Sequence, residues 1–396
     1  MKVLVTDGLD TKAVEFLYSE GFDVECKGLT EDELIEQIAD YDALIVRSAT
    51  KVTSRVLASG ALEHGKLKLV GRAGIGVDNI DTEAAGKCGV VVKFAPHGST
   101  ESTAEHTIGL MLAVSRNIPQ SYRALADGQW KKKDFRGSEL FGKTVGIMGC
   151  GRIGKRVAAI AQHGFGMDVL GFDTVHDDES GITYTEKQAL LGDSDYVSLH
   201  LPRQPEPVIG REEISLMKRS GYLINASRGG NVDERALYEA LINMDIAGAA
   251  MDVYETEGRD GKGFSNMLFG LPNFIGTPHL GASTAEGQKK TGMEMARSVA
   301  AYLKEGDFEG AVNAEDGAEK TDSSETYNVF VCHEDKPGVF SQVTRAFGEY
   351  GINIRGMPSG VLQGDRAVTI IRAEGRPNDA ILKGLGRIEG IYSVRV

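Results

Sequence analysis

Residues 144–173 read TVGIMGCGRIGKRVAAIAQHGFGMDVLGFD, and this stretch decides how the surrounding chain folds. An apolar strand at 144–148 runs directly into a glycine-rich turn at 149–154, and a helical segment follows. A second apolar strand at 167–172 ends on Asp173, roughly 20 residues beyond the turn. This order of strand, turn, helix, strand and acid predicts a βαβ unit that binds a dinucleotide.

The three glycines of the turn each meet a different physical need. Gly149 permits the tight turn from strand to helix, Gly151 leaves room for a pyrophosphate, and Gly154 lets helix and strand pack closely. Asp173 would accept hydrogen bonds from the adenosine ribose and would repel a 2′-phosphate. None of the next five residues, 174–178, is an arginine that could accommodate such a phosphate, so NAD is predicted rather than NADP. The alternative is a glycine-rich turn without a ligand, which the complete pattern disfavours.

The length and composition describe an acidic globular chain. The 396 residues allow two or three domains, with 41% hydrophobic and 26% charged residues. A net charge of −13 argues against a nucleic-acid partner, because binding to phosphates requires clustered lysine and arginine. The one basic cluster, 131–133, is either a solvated surface or a charge donated to an anionic ligand of a neighbouring subunit.

The cysteines and the apolar runs bear on compartment and on membranes. The four cysteines are dispersed without a CxxC motif, which predicts a reduced, cytoplasmic compartment and neither a disulfide framework nor a metal site. The first residues are strand-like and lack the apolar core of a signal peptide. The longest apolar run, 108–114, is far shorter than the roughly 20 residues that span a bilayer, so no membrane partner is expected.

Short strands and amphipathic helices alternate through residues 1–95, which predicts an α/β wound sheet. Two loops at predicted strand ends, 46–51 and 71–79, carry Arg47 and Arg72. Because ligands bind outside the carboxyl ends of strands in open α/β sheets, these arginines are candidates to hold an anion. The alternative is that each is an ordinary surface charge.

The nucleotide-binding region continues to about residue 280, and the chain ends in a small separate unit. Residues 313–325 are acidic, polar and glycine-containing, which is typical of a linker. The tail, 326–396, alternates as strand, helix, strand, strand, helix and strand. This βαββαβ order predicts a ferredoxin-like fold.

Three residues near predicted strand exits form the sharpest chemical pattern: Arg228, Glu257 and His279. Hydride transfer between a 2-hydroxy acid and NAD requires a cation for the carboxylate and a base for the hydroxyl proton. Arginine suits a bidentate carboxylate contact, histidine titrates in the useful range, and a neighbouring carboxylate raises the histidine pKa. Taken singly, each residue also has an ordinary structural interpretation in a turn or a surface loop.

The motifs around these residues resemble the D-isomer-specific 2-hydroxyacid dehydrogenases. They are VRSATKVT (46–53), VGRAGIGVDNID (70–81), GKTVGIMGCGRIGK (142–155), NASRGGNVDERAL (225–237), AGAAMDVYETE (247–257) and TPHLGASTAEGQ (277–288). The tail resembles an ACT domain in HEDKPGVF (333–340) and GINI (351–354). Within the family the chain resembles the members that oxidise D-3-phosphoglycerate to 3-phosphohydroxypyruvate, the first step of L-serine biosynthesis.

The resemblance implies roles for individual residues. Arg228 would orient the substrate carboxylate, and His279, supported by Glu257, would exchange the hydroxyl proton while hydride passes to the nicotinamide. The residues implied to contact NAD are Gly149, Gly151, Arg152, Ile153, Gly154, Asp173, His200, Pro202, Ala226, Asp252 and Gly281. Those implied to contact a phosphorylated 2-hydroxy acid are Arg47, Ser48, Arg72, Gly74, Ile75, Gly76 and Ser99. An L-serine effector site is implied at His333, Asp335 and Asn353.

The resemblance also implies the domain organisation. The expected parts are a Rossmann-type NAD-binding domain (98–280), a flavodoxin-like, discontinuous substrate domain (1–97 and 281–312), a linker (313–325) and a ferredoxin-like ACT domain (326–396). ACT domains pair side by side, so a homo-oligomer, dimer or tetramer, is expected. Two alternatives stay open: a reductase of another 2-oxo acid, such as hydroxypyruvate, glyoxylate or 2-oxoglutarate, and an NAD(H)-sensing binding protein of corepressor type.

Overall fold

The structure is a computed structural model. It describes residues 1–61, 65–177, 180–258, 263–316, 326–362 and 365–396. The chain forms two compact units, one made of Met1–Gly98 with Gln288–Val396 and the other of Ser99–Gly287. Among the described residues, no helix combines the length and the apolar character needed to cross a bilayer.

Five parallel strands form the first sheet of the first unit: β1 (Lys2–Val5), β2 (Asp23–Cys26), β3 (Ala43–Val46), β4 (Leu69–Arg72) and β5 (Val91–Phe94). Their spatial order is β2-β1-β3-β4-β5, so the predicted flavodoxin-like topology is confirmed. All four residues of the central strand β3 are buried, as expected for a parallel sheet covered on both faces.

The helices between these strands are short, and three of them, α1, α2 and α4, begin at polar caps. They are α1 (Thr11–Ser19), α2 (Glu31–Gln37), α3 (Ser54–Ala61) and α4 (Thr82–Lys87). The Asp10 carboxylate accepts a hydrogen bond from the Lys12 amide at the start of α1, and Asp81 does the same for Ala84 in α4. Such caps satisfy amides that lack a partner within the helix.

Seven parallel strands form the sheet of the second unit. They are β6 (Thr144–Met148), β7 (Asp168–Phe172), β8 (Thr183–Tyr184), β9 (Tyr196–Leu199), β10 (Tyr222–Asn225), β11 (Gly248–Met251) and β12 (Phe274–Gly276). Their spatial order is β12-β11-β10-β9-β6-β7-β8, so the predicted Rossmann-type topology is confirmed. The order reverses between β6 and β9, and a ligand is expected beyond the carboxyl ends of these two strands.

The helices of the second unit are α5 (Thr100–Ser115), α6 (Ile118–Ala126), α7 (Arg152–Phe165), α8 (Lys187–Asp193), α9 (Arg211–Leu216) and α10 (Glu234–Ile242). Helix α5 begins with a polar turn at 100–103, ahead of its apolar part. The Thr103 amide donates to the Ser99 carbonyl oxygen at 3.0 Å within this turn. The Ser102 hydroxyl lies 2.6 Å from that of Thr284, just before α11 (Ala285–Glu305). Helix α7 ends where Gly166 takes a left-handed conformation with φ 60°.

The remaining elements are α11 (Ala285–Glu305), β13 (Ala314–Asp316), β14 (Thr326–Glu334), α12 (Val339–Glu349), β15 (Ile354–Gly356), β16 (Ser359–Leu362), β17 (Arg366–Glu374), α13 (Asp379–Leu385) and β18 (Ile391–Arg395). The strands form an antiparallel sheet in the order β13-β16-β17-β14-β18, with β15 also paired to β17. The predicted ferredoxin-like fold of the tail is therefore confirmed.

Two predictions about the tail need correction. The predicted linker, 313–325, begins with strand β13, which pairs with β16; residues 317–325 lie outside the described residues. The second strand of the predicted βαββαβ order is divided into two short strands, β15 and β16, which are separated by residues 357–358 and both pair with β17.

The tail packs on the parallel sheet of the first unit through a common core. The rings of Tyr302 and Phe330 lie 5.8 Å apart, and Arg395 is 7% exposed. The Arg395 guanidinium donates hydrogen bonds to the carbonyl oxygens of Cys88 at 2.6 Å and Leu67 at 2.7 Å. The contacts thus give two units where three domains were predicted, with the second boundary near residue 287 instead of 281. The predicted functional division stays a prediction.

Candidate active site

The glycine-rich turn after β6 has the shape that a pyrophosphate requires. A Cβ on Gly149 would lie 2.6 Å from the His200 carbonyl oxygen, and one on Gly154 would lie 2.1 Å from the Gly149 carbonyl oxygen. A Cβ on Gly151 would meet no atom of the described residues within 4 Å. Packing therefore requires the first and third glycines, whereas the second leaves open space before the first amides of α7, at Arg152 and Ile153. These residues fit the phosphates of NAD.

The acid at the end of β7 is held ionised beside this turn. Asp173 Oδ2 accepts a hydrogen bond from the Cys150 amide at 2.6 Å, and Oδ1 accepts one from the Val175 amide at 3.2 Å. Partial burial alone would raise the pKa of Asp173, but these backbone hydrogen bonds keep it below its ordinary value. The charge fits the hydroxyls of a ribose and opposes a 2′-phosphate, as predicted for NAD.

The next wall of the site consists of residues that follow β9 and β10. His200 and Pro202 follow β9, and Ala226 follows β10 with 7% of its surface exposed. The His200 ring pairs through Nε2 with the Ser198 hydroxyl at 2.9 Å, and burial lowers the pKa of His200 to about 4. The imidazole is therefore neutral near pH 7, which favours the predicted lining role over proton exchange.

The predicted histidine and its carboxylate form a direct pair. His279 Nδ1 lies 2.9 Å and 3.0 Å from the two carboxylate oxygens of Glu257, so Nδ1 donates and Nε2 is left for a substrate. The hydrogen bond to Glu257 raises the pKa of His279, while the positive charge of Arg228 opposes that rise. The structure thus pairs two of the three predicted catalytic residues, His279 and Glu257, in direct contact, and the charge of Arg228 acts on the imidazole. Their roles stay a prediction.

The turn that carries Arg228 is shaped by a buried asparagine and a glycine. Asn225 Oδ1 accepts a hydrogen bond from the Ser227 amide at 3.0 Å, and Nδ2 donates to the Arg228 carbonyl oxygen at 3.1 Å. A Cβ on Gly229 would lie 1.8 Å from the Tyr254 carbonyl oxygen. Only glycine allows the turn to lie this close to the exit of β11, the segment that leads to Glu257.

The loop that carries His279 is built around Asp252. The Asp252 carboxylate accepts hydrogen bonds from the amides of Leu280 and Gly281, each at 2.8 Å, and it is completely buried. The His279 amide donates to the Asp252 carbonyl oxygen at 2.8 Å, and His279 itself adopts a left-handed φ of 55°. Both carboxylate oxygens are thus committed to the loop, and the predicted contacts of Asp252 and Gly281 with NAD stay a prediction.

The predicted substrate residues are divided between the units. Arg47 and Ser48 follow β3, whereas Arg72 ends β4 and Gly74, Ile75 and Gly76 come directly after it, all in the first unit. The Arg72 guanidinium donates to the Ala73 carbonyl oxygen at 3.1 Å and lies where a Cβ on Gly74 would stand, so a side chain at position 74 would displace the guanidinium. Ser99 belongs to the second unit and is 3% exposed. Their contact with a substrate stays a prediction.

Comparison with known proteins identifies the family. Residues 108–281 match the model described as D-isomer specific 2-hydroxyacid dehydrogenase, NAD binding domain, and residues 327–390 match the ACT domain. A hydroxypyruvate reductase of Thermotoga maritima is 39% identical over 302 residues, which cover 75% of this chain and 97% of that protein. The chain belongs to the D-isomer specific 2-hydroxyacid dehydrogenase family. The match to its NAD binding domain confirms the predicted cofactor, NAD.

Other members of the family are similar over a large part of this chain. A D-3-phosphoglycerate dehydrogenase of Methanocaldococcus jannaschii is 45% identical over 320 residues, which cover 79% of this chain and 59% of that protein. The chain spans between half and three fifths of the length of the first curated relatives it matches. A crystal structure of a Thermus thermophilus protein superposes with a TM-score of 0.71 at 31% identity, covering 79% of this chain and all of that one.

Two residues that the sequence did not indicate support the loops carrying His279 and Glu257 in this member of the 2-hydroxyacid dehydrogenase family. His106 Nε2 on α5 lies 3.0 Å from the Thr277 hydroxyl and 3.2 Å from Asp252 Oδ1. Glu234 at the start of α10 is 7% exposed and accepts a hydrogen bond from the Glu255 amide at 2.6 Å. The only sequence signal was a polar residue on a helix that carries both polar and apolar residues, which does not indicate a partner.

The predicted effector residues of this family member do not converge within one chain. His333 is 2% exposed; its Nδ1 donates to the Glu334 carbonyl oxygen at 2.7 Å, and its Nε2 lies 2.9 Å from the Thr369 hydroxyl. His333 pairs with Ala367 near the start of β17, and Asp335 follows at the same end. Asn353 instead donates to Glu374 at the far end of β17, about 20 Å away at roughly 3.3 Å per residue.

Proposed function

We propose that this chain oxidises D-3-phosphoglycerate to 3-phosphohydroxypyruvate with NAD, the first step of L-serine biosynthesis. The observation that carries the proposal is the His279–Glu257 pair beside Arg228, on an NAD binding domain. Curated relatives named D-3-phosphoglycerate dehydrogenase, at 45% and 42% identity, support this substrate.

Each residue of the site has a chemical task in this reaction. Arg228 holds the substrate carboxylate, because its planar guanidinium can make two parallel hydrogen bonds. His279 accepts the hydroxyl proton at Nε2, since Nδ1 already donates to Glu257, and the carboxylate stabilises the resulting imidazolium. NAD, when bound, accepts the hydride that leaves the substrate carbon bearing the hydroxyl group. Asp173 holds the ribose, and the turn at 149–154 holds the pyrophosphate.

A substrate panel tests the proposal. We expect kcat/KM for D-3-phosphoglycerate oxidation, and for phosphohydroxypyruvate reduction, to exceed that for hydroxypyruvate, glyoxylate and 2-oxoglutarate. Arg47→Ala should lower kcat/KM for the phosphorylated substrate and leave kcat/KM for the phosphate-free substrates nearly unchanged, because we assign the Arg47 guanidinium to the substrate phosphate. A preference for a phosphate-free acid would overturn the choice of substrate but not the reaction class.

The second candidate is an NADH-dependent hydroxypyruvate reductase. It is favoured by the Thermotoga maritima relative of that name, 97% of which this chain covers. The same panel separates the two candidates. A third candidate, an NAD(H)-sensing binding protein, predicts NADH binding without turnover of any 2-hydroxy acid, and the paired His279 and Glu257 count against it.

Regulation by L-serine at the ACT domain of a homo-oligomer is part of the proposal. His333 and Asp335 lie at one end of β17 and Asn353 at the other, so two tails set side by side in opposite directions would complete a site. Two large apolar side chains of the second unit, Trp130 and Phe141, are 84% and 76% exposed, and each is a candidate for a further subunit contact. Sedimentation velocity and NADH formation measured with and without serine test this. A monomer indifferent to serine would contradict it.

A reduced, cytoplasmic compartment is proposed on the cysteines. All four lie among the described residues as free thiols, with Cys88, Cys150 and Cys332 buried. Burial raises the pKa of the Cys150 thiol to about 11, so the cysteine inside the glycine-rich turn is inert near neutral pH.

A further inference from the structure

Three loops of the first unit meet at one edge of its sheet because of the strand order. Strand β3 lies between β1 and β4, and all three run parallel. Their carboxyl ends, and the loops that follow them, are therefore neighbours. The loop after β1 carries Asp7, the loop after β3 is residues 47–50, and the loop after β4 carries Asn79.

The Asp7 carboxylate holds the amide side of the 47–50 loop. Its Oδ2 accepts hydrogen bonds from the Arg47 amide at 2.7 Å and the Thr50 amide at 3.0 Å. Its Oδ1 accepts one from the Thr50 hydroxyl at 2.6 Å, and that hydroxyl lies 2.8 Å from the Thr6 hydroxyl. Two amides and a hydroxyl thus satisfy the hydrogen-bonding capacity of both carboxylate oxygens on the side of this loop.

The Asn79 carboxamide holds the carbonyl side of the same loop. Its Nδ2 donates to the carbonyl oxygens of Arg47 at 2.8 Å and Thr50 at 2.7 Å. The Asn79 carbonyl oxygen accepts the Val52 amide at 2.8 Å, which extends the contact beyond the loop. The backbone of Arg47 and Thr50 is therefore fixed on both sides, one by an acid and the other by an amide.

The side chains of the loop are left for a ligand. Thr50 is 9% exposed and committed to Asp7, whereas Ser48 is exposed and Arg47 half-buried. We propose that Asp7 and Asn79 are positioning residues that present the Arg47 guanidinium and the Ser48 hydroxyl to an anionic group of the substrate. This inference rests on the proposed function, and it names the residues on which the selectivity for a phosphorylated acid depends.

The acid and the amide should respond in opposite ways to isosteric exchange. In Asp7→Asn the carboxamide oxygen still accepts the two amides, and its nitrogen donates to the Thr50 hydroxyl, which turns toward Thr6. In Asn79→Asp a carboxylate oxygen faces two carbonyl oxygens, and both donated hydrogen bonds are lost. We expect Asp7→Asn to stay within about threefold of the wild-type KM and Asn79→Asp to raise KM about 10- to 100-fold, because small misplacements of a binding group have effects of this size.

The experiment is steady-state kinetics on the full chain, together with calorimetric titration of 3-phosphoglycerate and of NADH. We expect Asp7→Ala to raise KM and the Kd for 3-phosphoglycerate about 10- to 100-fold, with kcat changed less and the Kd for NADH unchanged. Thr50→Val, which removes one hydroxyl and keeps the shape, should give a smaller rise. Asp7→Asn should restore most of the loss.

Asp10→Ala is the matched control, because Asp10 lies in the same connection and caps α1 through the Lys12 amide. It should lower the melting temperature and leave KM and both dissociation constants unchanged. The positioning role is overturned if Asp7→Ala and Asp10→Ala move KM equally, or if Asp7→Asn is as impaired as Asp7→Ala. It is also overturned if the loss appears in the Kd for NADH.

Failure of the proposed function gives a different result. If the wild-type chain reduces hydroxypyruvate and neither binds nor oxidises 3-phosphoglycerate, the proposed substrate is wrong. The positioning role is then tested by measuring, for each variant, the ratio of its KM for hydroxypyruvate to that of the wild type. An unchanged KM for that acid in both Asp7→Ala and Asn79→Asp overturns it.

Discussion

The second unit and the C-terminal tail arrange their polar side chains in opposite ways. In the second unit all seven strands run parallel, so every strand exit lies at one edge of the sheet. In the tail the strands alternate in direction, so residues that follow successive strands fall at alternate ends. A parallel sheet therefore collects residues that are distant in sequence, such as Arg228 and His279, whereas the antiparallel sheet separates His333 from Asn353.

The two regions also differ in what their polar groups have left to offer a ligand. In the second unit the supporting network uses Asp252 and Glu234, and His279 Nε2 stays available. In the tail both ring nitrogens of His333 already have partners inside the chain. A ligand at the tail would have to replace those bonds or use other atoms, so we expect weaker effects from single substitutions there.

The largest expected effect comes from removing the proposed proton acceptor of the second unit. His279→Ala should lower kcat about 10²- to 10⁴-fold, because it removes the proton acceptor. The Kd for NADH, measured by fluorescence titration, should not change. His163→Ala, which replaces an exposed histidine on α7 of the same unit, is the control. A fall in kcat below tenfold would mean that another group accepts the proton.

A smaller effect is expected from Arg228→Lys, which keeps the charge and removes the planar fork. We expect kcat/KM to fall about 10²-fold, because a lysine cannot make two parallel hydrogen bonds to a carboxylate. The pH midpoint of kcat should hardly move, since the positive charge beside His279 is retained. If kcat/KM is unchanged, Arg228 acts only through its charge, and the comparison between the two regions loses its clearest example of geometric convergence.

The sequence was a good guide wherever local pattern and topology agree. The turn at 149–154 and Asp173 could be predicted because their spacing within one βαβ unit fixes their places in space. Arg228, Glu257 and His279 could be predicted as a group because they follow parallel strands or adjoin them. The ferredoxin-like order of the tail followed from its alternation of strands and helices.

The rest depended on contacts between segments far apart in sequence. His106 is 171 positions from Thr277, its hydrogen-bond partner, and nothing near His106 indicates that pairing. Strand β13 lies within the segment that was predicted to be a linker. Its residues form a strand by pairing with β16, and their own sequence gives no sign of that pairing. The burial of Arg395 against carbonyl oxygens of the first unit, more than 300 positions away, has no local signature at all.

Glu257→Gln should sharpen the account of the second unit through its dependence on pH. Glu257 raises the pKa of His279, so the substitution lowers that pKa. Oxidation requires the neutral imidazole, and the rising limb of its rate should move to lower pH. Reduction requires the imidazolium, and its falling limb should move to lower pH as well.

The loss of kcat at neutral pH should be about 10- to 100-fold, which is the rate factor that corresponds to the free energy of a hydrogen bond to a charged group. Full pH–rate profiles in both directions measure the shift. Profiles that keep their midpoints, or that move to higher pH, would show that Glu257 does not set the protonation of His279.

The smallest effect is expected in the tail, and it decides whether two copies share an effector site. Asp335→Ala and Asn353→Ala should each raise the serine concentration for half-inhibition about three- to tenfold, the value of one hydrogen bond. Subunits of the two variants that are mixed and allowed to exchange would form one intact site for each doubly damaged one, because the residues come from opposite ends of β17. Part of the wild-type response should therefore return on mixing. If mixing restores nothing, the three residues do not act across a subunit boundary, and the antiparallel tail carries its effector elsewhere.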